Sequence, residues 1–535
     1  MISRVAPEVI HLRPSLQRVL HEQHRTAPVS RHTNGHALVT GTQRLFVSPV
    51  ALPNIKVSED FASGHYLEKF INKPAPLNTD DLKEIVISPE YPLNLDMVLY
   101  PSGSMPASPN QDSSYGHHAW TRDMAIKAYA MYMAGNVQGA TKVIESLARF
   151  YNRDEERHER FGKFVLEPWS AKARYNSPNA NVLPNIRAWI NTNGHMEESP
   201  FPWDHRQLDA LGMWLWVAFK MSNEGALDLQ KLDGRLPGLN SQTQNNPNDS
   251  IFCVALKFLR VVEYWDQIDS GTWEDWPGWK RGTSIGICLA AFKEAQRYFN
   301  SFGWDSLTTH DRIGSLAEAM NSGRAYGQAT LNGRLPVEID ESRSDAAQAF
   351  LLYPFNPGLT TQQENAILDE IYNNRIGEVG VTRRHVDYFQ GQDYPFNPDH
   401  RAQGIFSAPS NEHKNAQWTL IDPILAAYYY NKYSMSDCTD EESFKKADAH
   451  TRRALAAIIK DDDVFRKTIN NQVVSVHKGD IPELYWYDSK QERFRAGENS
   501  PLLMAEASYL FMFKEGIMAT IKRDLKHRAQ FHPHN

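Results

Sequence analysis

Residues 271–286 combine side chains that could carry out acid–base chemistry. Two adjacent carboxylates, Glu274 and Asp275, are surrounded by three tryptophans, Trp273, Trp276 and Trp279. Aromatic surroundings that exclude water raise the pKa of a carboxyl group, because they disfavour its charged form. A carboxyl group with a raised pKa can stay protonated near neutral pH and act as a general acid. Flat apolar rings next to carboxylates also suit a sugar, which has hydroxyl edges and C–H faces.

A second carboxylate among aromatic side chains, Glu483, lies near the end of the chain and is followed by Leu484-Tyr485-Trp486-Tyr487. Glycoside hydrolysis requires two carboxyl groups, one that protonates the leaving oxygen and one that activates water or attacks the sugar. Glu274 and Glu483 are candidates for these two roles. They lie far apart in a chain with 64 acidic residues, so the alternative that both are solvated acids stays open.

A tryptophan, an arginine and an aspartate fall within four residues at Trp120-Thr121-Arg122-Asp123. In a sugar site, Arg122 and Asp123 would hydrogen-bond to hydroxyl groups, and Trp120 would form a wall of the pocket. In a structural role, Asp123 would interact with the positive dipole at the start of a helix, and Arg122 would form a salt bridge beside it. This segment alone is compatible with both interpretations.

A similar group, Trp203, Gln207 and Asp209, lies at the start of another apolar helical pattern. Burying Gln207 and Asp209 without partners would be costly. That cost favours a role in lining a pocket, although helix capping alone would account for Asp209.

Motifs for other chemistries are weaker. Ser284 lies in a Gly-x-Ser-x-Gly pattern, but the residues before it do not form the buried strand that a nucleophile elbow requires. His117-His118 lacks partners at metal-ligand spacing, and Asp461-Asp462-Asp463 lacks the remaining ligands of a calcium loop. We therefore predict neither a metal site nor an organic cofactor.

Apolar residues recur at helical spacing along most of the chain and predict a mainly helical protein. The predicted helices fall within 122–151, 207–221, 283–298, 344–353, 416–430, 447–460 and 501–513. Ser500-Pro501 is expected to start the last of them, with a capping hydroxyl before a proline. Strands are expected at 97–100 and 472–477.

The polar and aromatic clusters lie at, or just before, the N-terminal ends of these helices. If the helices alternate in direction, these ends gather on one face of a helical barrel, where the helix dipoles are positive. Residues 1–90 are rich in Arg, His and Pro. We predict that they form an irregular extension of loops and short strands, and that residues 91–535 form the barrel.

The composition excludes several classes of protein. Lys and Arg number 57 against 64 Asp and Glu, a formal net charge of −7, which argues against nucleic acid as the main partner. The sequence contains no run of 18 apolar residues, so we predict no membrane span. It shows no secretory signal, and three widely spaced cysteines fit a reducing compartment. We expect a cytoplasmic protein, or one exported without a cleavable signal peptide. The oligomeric state stays open.

Taken together, these motifs resemble the glucoamylase family, glycoside hydrolase family 15, which also includes the barrel of phosphorylase kinase α-type subunits. The resemblance covers roughly residues 95–515. It is carried by Tyr115…Trp120-Thr121-Arg122-Asp123, Trp203…Gln207-Leu208-Asp209, Trp273-Glu274-Asp275, Asp345-Ala346-Ala347, Gly380…Arg383…Asp387-Tyr388, Gln417-Trp418 and Pro482-Glu483-Leu484-Tyr485.

The resemblance implies an all-α fold, the (α/α)6 barrel or six-hairpin toroid. It implies an inverting, exo-acting α-glucoside hydrolase that releases β-D-glucose from the non-reducing ends of α-1,4-glucans such as glycogen, starch or maltooligosaccharides. Glu274 would be the general acid and Glu483 the general base. The substrate-binding residues would be Tyr115, Trp120, Arg122, Asp123, Trp203, Gln207, Asp209, Trp273, Asp275, Arg383 and Trp418.

The sequence departs from the family pattern at two of these places. Asp275 stands where many members carry a second glutamate, which leaves the linkage preference open. Arg383-Arg384-His385 replaces the more usual Arg-Tyr, so the matching arginine is fixed only to within one position. Two alternatives follow from the same resemblance. One is a non-catalytic glycan-binding or regulatory protein on the same barrel, and the other is a relative that acts on another α-linked glucan or on trehalose.

Overall fold

A computed structural model describes residues 55–531 with gaps, together with Glu8–Ile10. The gaps are residues 96, 110–114, 154, 178–181, 200–202, 233–249, 275–277, 302–315, 340–343, 385–414, 462–463, 470–471, 489–490 and 498–499. One predicted site residue, Asp275, lies outside the described residues. So do Asp387 and Tyr388, which contribute to the family resemblance.

Two layers of helices organise the described part of the chain. In chain order their members are α1 (Thr79–Ile87), α2 (Thr121–Met133), α3 (Val137–Tyr151), α4 (Leu208–Asn223), α5 (Ile251–Val261), α6 (Gly282–Ser301), α7 (Leu316–Arg334), α8 (Ala349–Leu352), α9 (Thr361–Asn374), α10 (Ile421–Met435), α11 (Glu441–Ala456) and α12 (Leu503–Phe531).

The even-numbered helices form a closed inner ring. In this ring α2 packs on α4, α4 on α6, α6 on α8, α8 on α10, α10 on α12, and α12 on α2. Each odd-numbered helix covers one inner helix: α1 covers α12, α3 covers α2, α5 covers α4, α7 covers α6, α9 covers α8, and α11 covers α10. The predicted (α/α)6 barrel is therefore confirmed.

Burial differs between the two layers because their surroundings differ. Helix α4 is apolar on nearly every side, and its residues from Leu208 to Phe219 are all buried. An inner helix needs this composition, since it contacts two ring neighbours and an outer helix. Helix α3 has a buried stripe that includes Val143, Ile144 and Leu147, and it leaves the opposite side to solvent. No helix within the described ranges is both long and apolar enough to cross a bilayer.

Short elements occupy the connections between the barrel helices. They include α-helices at Glu59–Ala62, Glu68–Ile71, Lys163–Leu166, Pro168–Tyr175 and Leu229–Leu232, a π-helix at Glu155–Gly162, and 3-10 helices at Tyr264–Asp266 and Ala346–Gln348. The strands are β1 (Glu8–Ile10), β2 (Met97–Leu99), β3 (His118–Trp120), β4 (Arg187–Ile190), β5 (Met196–Glu198), β6 (Gln417–Trp418), β7 (Phe465–Ile469), β8 (Gln472–Val476), β9 (Leu484–Asp488) and β10 (Arg493–Ala496). They pair antiparallel as β1-β2, β3-β4-β5, β10-β9-β6 and β7-β8.

The predicted helices and both predicted strands are confirmed, with corrections at the starts of two helices. In the predicted helix 416–430, Gln417–Trp418 form strand β6, and α10 begins at Ile421. Helix α12 begins at Leu503, not at Ser500-Pro501. The Ser500 hydroxyl donates to the carbonyl oxygen of Gly497 at 2.8 Å and does not cap the helix. Ser500-Pro501 is therefore part of the turn that leads into α12.

Residues 55–89 pack closely on the rest of the barrel. Helix α1 supplies the outer cover of α12, and the Thr79 hydroxyl donates to Asp524 of α12 at 2.9 Å. The guanidinium of Arg452 in α11 donates to the carbonyl oxygens of Phe70 and Ile71. Helix α1, which precedes the predicted boundary at residue 90, thus belongs to the outer layer of helices.

A buried ion pair joins α2 to α12, where the inner ring closes. Lys127 Nζ lies 2.7 Å from Glu506 Oε2, and both side chains are fully buried. Removing one partner leaves an uncompensated buried charge. We expect Glu506→Leu to lower the free energy of unfolding by about 3–5 kcal/mol, measured by denaturant unfolding.

The double variant Lys127→Met with Glu506→Leu is the control for this prediction. Replacing both charges with apolar groups of similar volume is often close to neutral, so the double variant should recover most of the lost stability. A double variant as unstable as Glu506→Leu would contradict the prediction.

Candidate active site

The N-terminal ends of the six inner helices meet at one end of the barrel. Arg122 near the start of α2 contacts Asp209 at the start of α4 and the loop before α6. The Trp273 side chain in that loop donates to Asp345, just before the 3-10 turn that leads into α8. Strand β6 precedes α10 and pairs with β9, which precedes α12. The amide of Leu503, at the start of α12, donates to the carbonyl oxygen of Ala107, which precedes α2. The predicted gathering of helix ends is confirmed.

The guanidinium of Arg122 is the centre of a buried hydrogen-bond network. Its Nε donates to Asp209 Oδ2 at 3.0 Å, and its Nη2 donates to Gln207 Oε1 at 2.9 Å. The carbonyl oxygens of Thr272 and Gly271 accept from Nη1 and Nη2 at 3.0 and 2.9 Å. Nη1 also lies 3.5 Å from Glu274 Oε1. The acceptors of Arg122 are therefore protein groups that fix the starts of α2 and α4 and the loop that carries Glu274.

Asp123, the next residue, is buried beside this network. Burial is the main cause that raises the pKa of its carboxyl group from 3.8 to about 7. The Arg122 cation lowers the pKa, whereas the charges of Glu274 and Glu483 raise it. Both glutamates thus lie close enough to act electrostatically on one side chain.

Glu274 lies in a tight turn that the network holds in place. Its φ of 55° is in the left-handed region, and its amide donates to the carbonyl oxygen of Gly271 at 3.0 Å. Non-glycine residues rarely adopt this conformation, which is found where surrounding contacts impose it. Here Arg122 provides such contacts, because it binds the carbonyl oxygens of Gly271 and Thr272 in the same turn.

Glu483 immediately precedes β9, which pairs with β6. Leu484 lies opposite Trp418 in this ladder, and the amide of Thr419 donates to the carbonyl oxygen of Glu483 at 3.3 Å. The ring centroids of Trp418 and Trp273 are 5.3 Å apart. The structure therefore brings the elements that carry Glu274 and Glu483 together through contact between the two tryptophans.

Arg383 packs against the same two tryptophans. Its guanidinium lies 4.7 Å from the ring centroid of Trp418 and 6.0 Å from that of Trp273. The backbone of Val381 forms an isolated antiparallel bridge with Trp418, which fixes this segment beside β6. Arg384, the neighbouring candidate, donates from Nε to Asp345 Oδ2 at 2.8 Å.

A second aromatic cluster brings together three more predicted residues. Tyr115 and Trp120 meet edge to face at 5.0 Å, and Trp120 and Trp203 at 5.9 Å. The guanidinium of Arg187 lies 5.1 Å from the ring centroid of Trp120 and 4.6 Å from that of Trp203. Its Nη2 lies 2.8 Å from Nε2 of His118. Such cation–π contacts hold flat rings in fixed orientations.

Arg187 is not among the predicted site residues, and no site role was predicted for Asp345 or Arg384. Arg187 was not detectable as a site residue because it lies in β4 and reaches Trp120 only through the pairing of β4 with β3. Ser284, in contrast, lies in the first turn of α6 and not in a nucleophile elbow. Within the described residues, no group of three or more His, Cys, Asp or Glu side chains could hold a metal ion.

A family model of glycosyl hydrolases family 15 matches residues 95–474, more than half of the 535 residues. Among solved structures, a wild-type glycosidase is 17% identical, with a TM-score of 0.50 over 78% of this chain and 92% of its own. A variant of a glycosidase in complex with glucose is also 17% identical, with a TM-score of 0.52 and the same coverage.

A glucoamylase from Saccharomycopsis fibuligera is 13% identical, with a TM-score of 0.50 over 84% of this chain and 98% of its own. At such low identities the structural similarity concerns the fold. No curated protein matches the chain.

The raised pKa of Asp123 predicts that replacing it by asparagine changes the free energy of unfolding by an amount that depends on pH. A carboxyl group whose pKa rises from 3.8 to about 7 on folding stabilises the protein fully below about pH 4. This contribution is lost as the pH rises through about 7. Asp123→Asn cannot ionise, so we expect it to gain stability relative to the wild type between pH 4 and pH 8, by at most about 4 kcal/mol. The free energy of unfolding, measured at pH 4, 6 and 8, checks this expectation.

Asp80→Asn is the matched control, since Asp80 also lies in the first turn of a helix but is exposed to solvent. A stability difference between Asp123→Asn and the wild type that stays constant across this range would contradict the prediction.

Proposed function

The chain belongs to glycosyl hydrolases family 15 and is a glycoside hydrolase, and we propose that it is an inverting, exo-acting enzyme of glucoamylase type. In this proposal it releases β-D-glucose from the non-reducing ends of α-1,4-glucans such as glycogen, starch or maltooligosaccharides. The observation that carries the proposal is the meeting of two segments, one with Glu274 and one with Glu483, through the contact of Trp273 with Trp418.

In the proposed reaction, Glu274 is the general acid and Glu483 the general base. Glu274 gives its proton to the glycosidic oxygen as the bond between this oxygen and C1 of the terminal glucose breaks. A water molecule on the opposite face attacks C1 and gives a proton to the Glu483 carboxylate. The product is the β-anomer, and solvent exchange returns both groups to their starting states. Inversion requires the carboxyl groups to be roughly 6.5–9.5 Å apart, which leaves room for the water.

We propose that Arg122 acts on the substrate indirectly. Its hydrogen bonds go to protein acceptors around Asp209, Gln207 and the turn of Glu274. In this role it sets the direction of the general acid, while Asp123 and the aromatic side chains contact the sugar. This differs from the sequence-based expectation that Arg122 itself binds the terminal glucose.

The remaining predicted residues form the walls of the proposed glucose pocket. The first wall comprises Tyr115, Trp120 and Trp203, and the second comprises Trp273, Trp418 and Arg383. Flat aromatic faces match the C–H faces of a pyranose ring, and the charged groups between them match its hydroxyl edges. The name of the glucoamylase relative and the glucose bound to a glycosidase relative support an α-glucan as the substrate.

Proton NMR of the anomeric region during hydrolysis tests the proposal. With maltotetraose or glycogen as substrate, β-D-glucose should appear first and the α-anomer should follow by mutarotation. Glu274→Gln and Glu483→Gln should each lower kcat by about 10²–10⁴-fold, because each removes one of the two proton transfers. An initial α-anomer would refute inversion. Binding of glycogen without release of sugar would favour the regulatory alternative, and turnover of trehalose alone would favour that substrate.

Two glutamates outside the site, the half-buried Glu263 and the exposed Glu492, serve as matched controls. Glu263 shares the left-handed backbone of Glu274, with a φ of 57°. Glu492 lies in the turn between β9 and β10, on the hairpin that follows Glu483. Glu263→Gln and Glu492→Gln should retain kcat within about twofold, since surface substitutions have small effects. Losses equal to those of Glu274→Gln and Glu483→Gln would show that the assay reports misfolding.

A further inference from the structure

We propose that Asp345 is a positioning residue that fixes the segments of Glu274 and Glu483 relative to each other. The inference rests on the proposed function, since it concerns the geometry of the two carboxyl groups. Asp345 is fully buried. Its position just before the inner helix α8 and its 3-10 turn places it between the loop of Trp273 and the segment of Arg383 and Arg384.

The carboxylate of Asp345 accepts hydrogen bonds from three segments. Oδ1 accepts from Trp273 Nε1 at 2.5 Å and from the amide of Ala347 at 2.8 Å. Oδ2 accepts from Arg384 Nε at 2.8 Å. The bond to Ala347 caps the 3-10 turn Ala346–Gln348, so the carboxylate itself is anchored to the barrel. A buried carboxylate anchored in this way can fix the orientation of the side chains that donate to it.

Through Trp273, the anchor reaches the general acid of the proposed reaction. Trp273 and Glu274 are adjacent in the turn that follows Gly271. An indole whose N–H is bound by Asp345 and whose ring contacts Trp418 has little freedom to rotate. Two contacts therefore restrain the residues just before Glu274: Arg122 binds the carbonyl oxygen of Thr272, and Asp345 binds the side chain of Trp273.

The same carboxylate also reaches the base side of the site. Arg384 is held at Oδ2, and the carbonyl oxygen of Arg383 accepts from the amide of Ala346 at 2.9 Å. Arg383 packs on Trp418, which lies opposite Leu484, the residue after Glu483. Asp345 thus links two paths, one through Trp273 to Glu274 and one through Arg384, Arg383 and Trp418 to Glu483.

Such an anchor matters because the proposed inversion depends on the separation of the carboxyl groups. A misplacement of about 1 Å can cost roughly 100-fold in rate. A residue that only stabilised the fold would change the amount of folded enzyme and leave the activity of each folded molecule unchanged. A positioning residue lowers kcat and leaves KM nearly unchanged.

A double-mutant cycle between Asp345 and Trp273 tests the proposal. We expect Asp345→Ala to lower kcat for maltotetraose by about 10–100-fold, with KM changed less than about threefold, and Trp273→Phe to lower kcat by a similar factor. The double variant should be no worse than the poorer single variant, because both remove the same contact. Effects of the two substitutions that multiply would overturn the proposed path through Trp273.

Asp448→Ala is the matched control for a structural effect. Asp448 accepts from the amide of Leu77 at 2.7 Å and from Arg452 Nε at 2.7 Å. It therefore makes the same kinds of bonds as Asp345, in α11 and away from the site. Asp448→Ala should lower the melting temperature without lowering kcat per folded molecule. An Asp345→Ala variant that behaves in the same way would overturn the proposal.

Indole ¹⁵N–¹H NMR gives a readout that does not require activity. The Trp273 Nε1–H resonance, assigned by its loss in Trp273→Phe, should shift upfield in Asp345→Ala, because its hydrogen bond to a carboxylate is lost. An unchanged resonance would overturn the contact itself. If the wild type hydrolyses no α-glucoside while this resonance shifts as expected, the proposed function fails and the contact of Asp345 with Trp273 stands.

Discussion

The burial of one guanidinium is the constraint from which the arrangement of this site follows. A buried cation must be paired and hydrogen-bonded, because the alternative is an uncompensated charge in a medium of low dielectric constant. Burial opposes the charge of Arg122, yet Asp209, Glu274 and Asp123 hold the pKa of Arg122 above its ordinary value. Its acceptors come from the start of α4 and from the loop before α6. Satisfying this one side chain therefore fixes three neighbouring helix ends.

The barrel makes such a centre possible because it returns the chain to the same end six times. Each inner helix begins near the site, and each outer helix carries the chain back. Short strands lead into two of the inner helices. Strand β3 ends at Trp120 before α2, and β6 ends at Trp418 before α10. A strand that ends at a helix start orients the aromatic side chain at that point, because its backbone is fixed by the partner strand on one side and by the helix on the other.

Much of this fold could be predicted from the sequence, whereas the contacts between segments could not. Apolar periodicity revealed helices such as α4 and α6, and the polar clusters at their starts indicated a shared face. Four outer helices, α1, α5, α7 and α9, were not predicted. Of these, α1 has only nine residues, although Asn78 and Asp81 form a capping box at its start. Arg187 and Asp345 act through partners 67 and 72 residues away, Trp120 and Trp273. Local sequence gives no sign of such pairings, and the assigned site roles stay predictions.

The electrostatics of the site also bear on which carboxyl group can hold a proton. The charges of Glu274 and Glu483 both act on the carboxyl group of Asp123, and Arg122 is in direct contact with Glu274 and Asp209. Several carboxylates around one cation repel one another, so a cluster of this kind retains a proton at a higher pH than isolated acids do. Burial raises the pKa of Asp123 to about 7, and Asp123 is more buried than Glu274 and Glu483. A neutral Asp123 reduces the negative charge around Glu274 and Glu483. The proposed mechanism needs one of these two protonated and the other ionised. In the proposed mechanism, Arg122 and Asp345 hold the two segments in place for these two proton transfers.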